Sequence, residues 1–205
     1  MPARYAVERG DWKAAQALEP QKSEIPYATA LTYFARAVAA ARSNNASAAE
    51  KDVAELARLR DELKAAKNDY WASEVEISRL GAAAWTALAQ GKRDEALSLM
   101  QTAANTEDKN EKHIVTPGRI LPAREMLGEM LLELKRPAEA LKEFEASHAR
   151  EPERFRGYYG AAQAADQSGD KAKAKLYYER LIKLAGQDNN ARSEMARARA
   201  FLAAK

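Results

Sequence analysis

The chain repeats itself with a period of 34 residues. Ala140 and Ala174 are 34 residues apart, and Phe144 and Tyr178 are separated by the same distance. Around each pair, small, large and charged positions follow one another in the same order. A period of this length is typical of arrays in which one supersecondary unit stacks on the next and covers its apolar face. The period therefore predicts stacked copies of a single unit.

Composition indicates that this unit is built from helices. Hydrophobic residues make up 46% of the 205-residue chain, and many of them are alanine, with few isoleucines and valines. Alanine has the highest helix propensity, whereas β-branched residues are enriched in strands. Large apolar residues recur at helical spacing, and small ones recur where two helices would approach closely. We therefore predict an all-α chain.

The repeated residues resemble the tetratricopeptide repeat family, whose 34-residue pattern combines Leu-Gly, Ala, aromatic and Pro positions. Residues 121–154 match this pattern at Leu127, Gly128, Ala140, Phe144 and Pro152. Residues 155–186 match it at Tyr158, Ala162, Ala174 and Tyr178. The resemblance implies a right-handed α-solenoid of antiparallel helix pairs. It also implies that the first helix of each pair lines a concave groove that holds a protein or peptide partner.

The phase of the repeat continues to the N-terminus, so we predict one tetratricopeptide-like domain over residues 1–205. Its segments are a truncated repeat (1–20), a degenerate repeat with a long second helix (26–66), a repeat (70–105), an inserted loop (106–120), two repeats (121–154 and 155–186) and a capping helix (188–205). The long helix is expected to end near Ala66, and the next to run from Tyr70 to Gln90. Because most of the first helix is missing from the first repeat, we expect the C-terminal part of a longer bacterial protein.

No catalytic constellation is visible. The sequence contains neither a phosphate-binding loop, nor a Gly-x-Ser-x-Gly elbow, nor a His-Glu-x-x-His pair, and it has no cysteine. Its two histidines, His113 and His148, are interpreted as surface side chains on the inserted loop and on a second helix. We therefore predict a protein that is not an enzyme and that has no cofactor and no metal.

Charge and hydropathy limit the partners. The 33 basic and 30 acidic residues are interleaved along the chain, whereas a duplex-binding domain concentrates its basic residues on one face. We therefore expect no nucleic-acid partner. No apolar run is long enough for a membrane span, and the first residues lack the pattern of a signal peptide. The cellular compartment is left open.

The resemblance places eleven side chains on the predicted groove. They are Trp85, Leu88, Glu125, Glu129, Leu132, Glu133, Arg156, Tyr159, Gln163, Asp166 and Gln167. The three glutamates follow one another at i, i+4 and i+8, so they form an acidic stripe on one helix. Such a stripe is either a solvated face or a surface that attracts a Lys/Arg-rich peptide or a hard cation. Tyr159 beside Arg156 is the type of contact enriched in binding hot spots.

Two further stretches have alternative interpretations. The inserted loop carries Lys109, Lys112, His113 and Arg119 and a predicted turn at Thr116-Pro117-Gly118. It is either a basic flap near the acidic stripe or, as we favour, a spacer between helices. Trp71 and Trp85 lie four helical turns apart, a spacing more typical of core packing than of a cofactor site.

The sequence thus predicts a non-catalytic protein- or peptide-binding scaffold. A structural spacer or self-association arm is the first alternative, since alanine-rich surfaces permit contacts between copies. The second is the C-terminal domain of a larger enzyme or sensor.

Overall fold

The computed structural model describes residues 2–21, 23–111, 119–186 and 192–204, and the regular structure within these ranges is entirely α-helical. Their helices are α1 (Pro2–Glu8), α2 (Trp12–Gln16), α3 (Pro26–Arg42), α4 (Ala46–Ala65), α5 (Asp69–Ala89), α6 (Arg93–Lys109), α7 (Ala123–Glu133), α8 (Pro137–Arg150), α9 (Phe155–Ser168), α10 (Lys171–Ala185) and α11 (Ser193–Ala203). The all-α prediction is confirmed. The chain divides into two compact units, Met1–Ala123 and Arg124–Lys205. The single domain predicted over residues 1–205 stays a prediction.

One turn geometry recurs between consecutive helices, both within a pair and from one pair to the next. At the ends of α1, α5 and α9 a glycine with positive φ follows the helix: Gly10, Gly91 and Gly169. Asn44, Lys67 and Lys135 take the same left-handed conformation after α3, α4 and α7. The next residue then donates its N–H to a carbonyl five positions back, for example from Asn45 to Ala40 over 2.8 Å and from Asp170 to Ala165 over 2.9 Å. This closure satisfies the carbonyls at the end of the helix and sends the chain back along it.

The same turns also start the following helix. Asp11, Asn45 and Asp170 come directly after the left-handed residue, and each side chain accepts a hydrogen bond from the backbone N–H three positions on. These are N-caps, which satisfy one of the N–H groups that a helix leaves unpaired at its start. Pro137 starts α8 instead, at a position where its missing N–H has no cost. Each turn therefore stops one helix and begins the next within a few residues.

The first unit is a continuous stack of helices. α3 packs on α4, α4 on α5 and α5 on α6, and α5 also packs on α3. Each first helix therefore contacts both the helix before it and the corresponding helix of the preceding pair, as in a helical repeat. Leu56 and Met100 are completely buried along this stack. The apolar stripe of every helix is thus covered by a neighbour.

The second unit has the same organisation. α8 packs on α9, α9 on α10 and α10 on α11. The ring of Tyr178 is buried on α10 and lies 4.9 Å from the ring of Phe201 on α11. Met195 and Ala198 of α11 are buried as well. α11 therefore covers the last helix pair with one apolar face.

The described ends of the inserted loop are well anchored. α6 continues to Lys109, so residues 106–109 are helical rather than part of a loop. Arg119 donates to the Glu74 carboxylate over 2.6 Å and lies 3.3 Å from Glu107. Arg119 is therefore part of the packed structure of the first unit. The other residues predicted for this loop, Lys112, His113 and Thr116-Pro117-Gly118, lie outside the described residues.

Candidate protein-interaction site

Trp85 is a core residue and not a groove contact. Its side chain is 2% exposed, and the Arg42 guanidinium stacks 4.3 Å from the centre of its ring. Trp71, on the same helix, stacks on Tyr27 with ring centroids 3.7 Å apart. Both tryptophans therefore pack, as the spacing between them predicts. Leu88 is half-buried at the end of α5, so Leu88 is the predicted groove residue of the first unit that keeps some accessible surface.

The three glutamates of α7 do not form one solvated stripe. Glu125 is 0% exposed, and Arg154 donates to its carboxylate over 2.7 Å. Glu129 is half-buried and accepts from Arg156 over 2.5 Å. Only Glu133 is exposed at the end of the helix. The acidic stripe is therefore wrong as a surface feature, because two of its carboxylates are held by arginines of the next helix pair.

These ion pairs connect α7 to the start of α9. Arg154 directly precedes α9 and Arg156 lies in its first turn, so each reaches back to a glutamate of the preceding first helix. A charge that leaves water needs a partner, since an unpaired buried carboxylate is very costly. The pairs therefore fix the position of α9 against α7. Sequence spacing alone did not indicate this pairing, because it joins residues 27 and 29 positions apart.

α9 presents the remaining predicted groove residues. Tyr159 and Gln163 are half-buried, Asp166 is half-buried and Gln167 is exposed. They follow at i, i+4, i+7 and i+8, which is one face of the helix. Leu132 is half-buried on α7. The helix face is therefore polar, with one aromatic ring and accessible amide groups.

Charged side chains lie beside this polar face. Lys171 contacts the Asp166 carboxylate over 2.5 Å. Burial raises the pKa of Tyr159, and the nearby Arg197 guanidinium of α11 opposes that rise. The Tyr159 hydroxyl is therefore protonated at neutral pH and can donate or accept a hydrogen bond. The face therefore presents hydrogen-bonding groups and one tyrosine ring.

His148 is not the surface side chain that the sequence suggested. Its imidazole lies between two aromatic rings, with its centroid 4.9 Å from Tyr158 and 5.4 Å from Tyr177. Burial lowers the pKa of His148 below its ordinary value. A β-carbon at Gly157 would lie 3.1 Å from its Nε2 atom, so the glycine makes room for the ring. His148 is therefore a neutral packing residue of the second unit at pH 7.

A tyrosine–carboxylate bond borders the same cluster. Tyr177 donates its hydroxyl to Glu145 over 2.9 Å, and Lys173 contacts the same carboxylate over 2.8 Å. Burial and the carboxylate together raise the pKa of Tyr177 to about 12. The cluster therefore keeps its hydroxyl protonated and joins α8 to α10.

The described part of the chain carries no group of His, Cys, Asp and Glu side chains arranged to hold a metal ion. Within the same part, none of the helices combines the length and the apolar character that crossing a membrane requires.

Comparison with protein families identifies one repeat. The family model described as tetratricopeptide repeat matches residues 155–188, which include α9 and α10. No curated protein and no solved structure gives a significant match to the chain. The matched segment contains the α9 face and the turn at Gly169, in a helix pair packed on its neighbours as repeats are. Residues 155–188 are therefore similar to a tetratricopeptide repeat, a family whose members typically act as protein–protein interaction scaffolds, and the described residues around them form helices that pack as repeats do.

Proposed function

We propose that the chain is a non-catalytic scaffold that binds a protein partner through an extended or helical peptide laid along the accessible face of α9. The observation that carries this proposal is the position of Tyr159, Gln163 and Gln167 on one face of the helix that the family model matches. Their side chains offer amide and hydroxyl groups together with a flat ring. Such groups are adaptable hydrogen-bonding partners and an anchor of low conformational entropy.

The ion pairs below this face support the same function. Arg156 is held by Glu129, and Asp166 contacts Lys171, so these charges are largely compensated within the unit. A peptide bound here would meet a pre-ordered, nearly neutral surface, and little side-chain ordering would oppose binding. We therefore propose a polar peptide rather than a strongly basic one. A basic residue of the peptide would contact Glu133, the exposed carboxylate at the end of α7.

A peptide array tests the proposal. The array is read with wild-type protein, with the double variant Gln163→Ala/Gln167→Ala, and with Lys142→Ala, which removes an exposed lysine from α8. We expect peptides that bind the wild type and the lysine variant equally and bind the double variant at least tenfold more weakly. Equal binding by all three proteins would show that the α9 face is not the peptide-binding surface.

A Tyr159 series separates the ring from the hydroxyl. Tyr159→Phe keeps the half-buried ring, whereas Tyr159→Ala removes it. If the ring is the anchor, the phenylalanine variant binds the selected peptides nearly as well as the wild type, and the alanine variant loses them. Circular dichroism of both variants checks that the helices are retained. Loss of binding in both variants would assign the contact to the hydroxyl instead.

A further inference from the structure

α10 carries a charge distribution unlike the rest of the chain. Its sequence, KAKAKLYYERLIKLA, contains five basic residues and one acidic residue, whereas the whole chain has nearly equal numbers of both signs. Two of the lysines are occupied within the unit, since Lys171 contacts Asp166 and Lys173 contacts Glu145. Three basic residues remain on the exposed side of the helix, facing the single carboxylate of Glu179.

Exposed leucines lie among these charges. Leu176 is 42% exposed and Leu184 is 39% exposed, in a chain whose large apolar side chains are mostly buried. The exposed side of α10 is therefore both basic and partly apolar. We call it the basic face and define it as Lys175, Leu176, Glu179, Arg180, Lys183 and Leu184, all of which are exposed.

The basic face has the geometry of a helix-packing surface. Leu176, Arg180 and Leu184 follow at i, i+4 and i+8, so they form one ridge about 12 Å long at a rise of 1.5 Å per residue. Lys175, Glu179 and Lys183 form a second, parallel ridge by the same spacing. The groove between two such ridges accepts the side chains of another helix.

Arg180 is already positioned for a contact. Its guanidinium lies 5.8 Å from the ring centre of Tyr177, which is buried and held by its bond to Glu145. A cation held on an aromatic ring loses less conformational entropy when it binds a carboxylate. Glu179 lies 3.9 Å from Lys175, which leaves Arg180 and Lys183 to set the positive charge at the centre of the face.

We infer that the basic face of α10 is a second docking surface, and that its occupant is an acidic amphipathic helix of a partner protein. The partner's carboxylates would pair with Arg180 and Lys183, and its apolar side chains would cover Leu176 and Leu184. Charge complementarity selects the acidic partner, and the exposed Leu176 and Leu184 among the charges select a partner that also has an apolar side, as an amphipathic helix does. This surface is on the other helix of the pair that carries the proposed α9 face, so the protein would hold two partners or two segments of one partner.

A synthetic peptide of about five helical turns, with leucines at i, i+3, i+4 and i+7 and glutamates on both sides of them, serves as the probe. Binding of the fluorescently labelled peptide is measured by anisotropy. We expect Arg180→Glu/Lys183→Glu to weaken binding at least tenfold and Leu176→Gln/Leu184→Gln to weaken it at least fivefold. Lys142→Glu, a charge reversal at an exposed position of α8, should change it less than twofold. The peptide should also gain helical circular dichroism on binding.

Other outcomes would overturn the inference. Equal binding of the peptide by all variants would show that the basic face is not its site. Binding to phosphatidylserine vesicles that is lost in Arg180→Glu/Lys183→Glu, without peptide binding, would make the occupant a membrane surface. A concentration-dependent mass that the same variant abolishes would make it a second copy of the chain. The double variant Gln163→Ala/Gln167→Ala should leave the acidic peptide bound, so failure of the α9 proposal and failure of this one are distinguishable.

Discussion

Close packing at single residues determines which substitutions the second unit tolerates. The Phe144 ring is 0% exposed and lies between two glycines, Gly128 on α7 and Gly160 on α9. A β-carbon would come within 2.8 Å of the ring at Gly128 and within 2.3 Å at Gly160. Neither glycine has a left-handed conformation, so both are required for space. The ring cannot move away from one glycine without approaching the other.

Gly160→Ala is therefore expected to destabilise the second unit, although alanine is the better helix former. Overpacking of a filled core costs about 1–3 kcal/mol, which exceeds the gain of about 1 kcal/mol in helix propensity. Urea unfolding measures the change. A Phe144→Leu background supplies the control, because the smaller side chain should remove part of the penalty. A penalty of the same size in both backgrounds would show that the clash with Phe144 is not its cause.

Glu125 and Glu133 should respond differently to the same change. Glu125→Ala leaves the partly buried Arg154 without its carboxylate, and breaking a buried pair in this way costs about 3–5 kcal/mol. Glu133→Ala, at an exposed position of the same helix, should change the free energy of unfolding by less than about 0.5 kcal/mol. Chemical denaturation compares the two variants. Similar losses in both would contradict the burial of Glu125.

The buried imidazole of His148 predicts a pH dependence. Burial lowers its pKa in the folded protein below the ordinary value of 6.5, so below that pH the unfolded chain binds a proton that the folded chain does not. Stability should therefore fall as the pH falls through 6.5 towards the folded pKa. Unfolding of the wild type and of His148→Gln is measured from pH 8 to pH 5. The variant should lack this part of the decline, and parallel curves would contradict the assignment.

At the scale of the helix, the sequence predicts where each helix begins and ends better than it predicts which side chains are buried. The predicted break between the long helix and the next lies at residues 67–69, and the observed helices are Ala46–Ala65 and Asp69–Ala89. Boundaries depend on local turn residues, which the sequence displays directly. Burial depends on residues that arrive from another repeat. For that reason the sequence could not indicate that Arg154 covers Glu125, or that two tyrosines enclose His148.

Arg119 connects α5 and α6 of the first unit and should be essential to its stability. It pairs with Glu74 of α5 and with Glu107 of α6, and both Glu107 oxygens accept the N–H of Ala123 over 3.0 Å. Arg119→Ala leaves these carboxylates without their shared cation, which we expect to cost about 3–5 kcal/mol. Lys109→Ala, at an exposed position of α6, is the control and should be nearly neutral. Thermal unfolding compares the stability of the two variants. If Arg119→Ala is as stable as Lys109→Ala, Arg119 does not hold α5 and α6 together.

At the scale of the whole molecule, stability should be distributed between the two compact units. Residues 1–123 and 124–205 each have their own packed interior. In arrays of repeats, stability is approximately the sum of units and neighbouring interfaces, so different parts can open separately. A local defect should therefore act mainly on the unit that contains it.

Hydrogen exchange of Gly160→Ala tests this distribution. Exchange followed by mass spectrometry should accelerate in α8, α9 and α10 at least tenfold, because the substitution destabilises the unit that these helices form. α3, α4 and α5 should exchange at nearly the wild-type rate. Equal acceleration in all six helices would show that the chain opens as a single cooperative structure.

The left-handed turns have a consequence for engineering the protein. Glycine adopts this conformation without penalty at positions 10, 91 and 169, but lysine holds it at positions 67 and 135. A side chain with a β-carbon is strained there by about 1–2 kcal/mol. Glycine at positions 67 and 135 would remove part of that strain, and neither position belongs to a proposed docking face. The protein could thus be made more heat-resistant by changing its turns alone, with both proposed docking faces left unchanged.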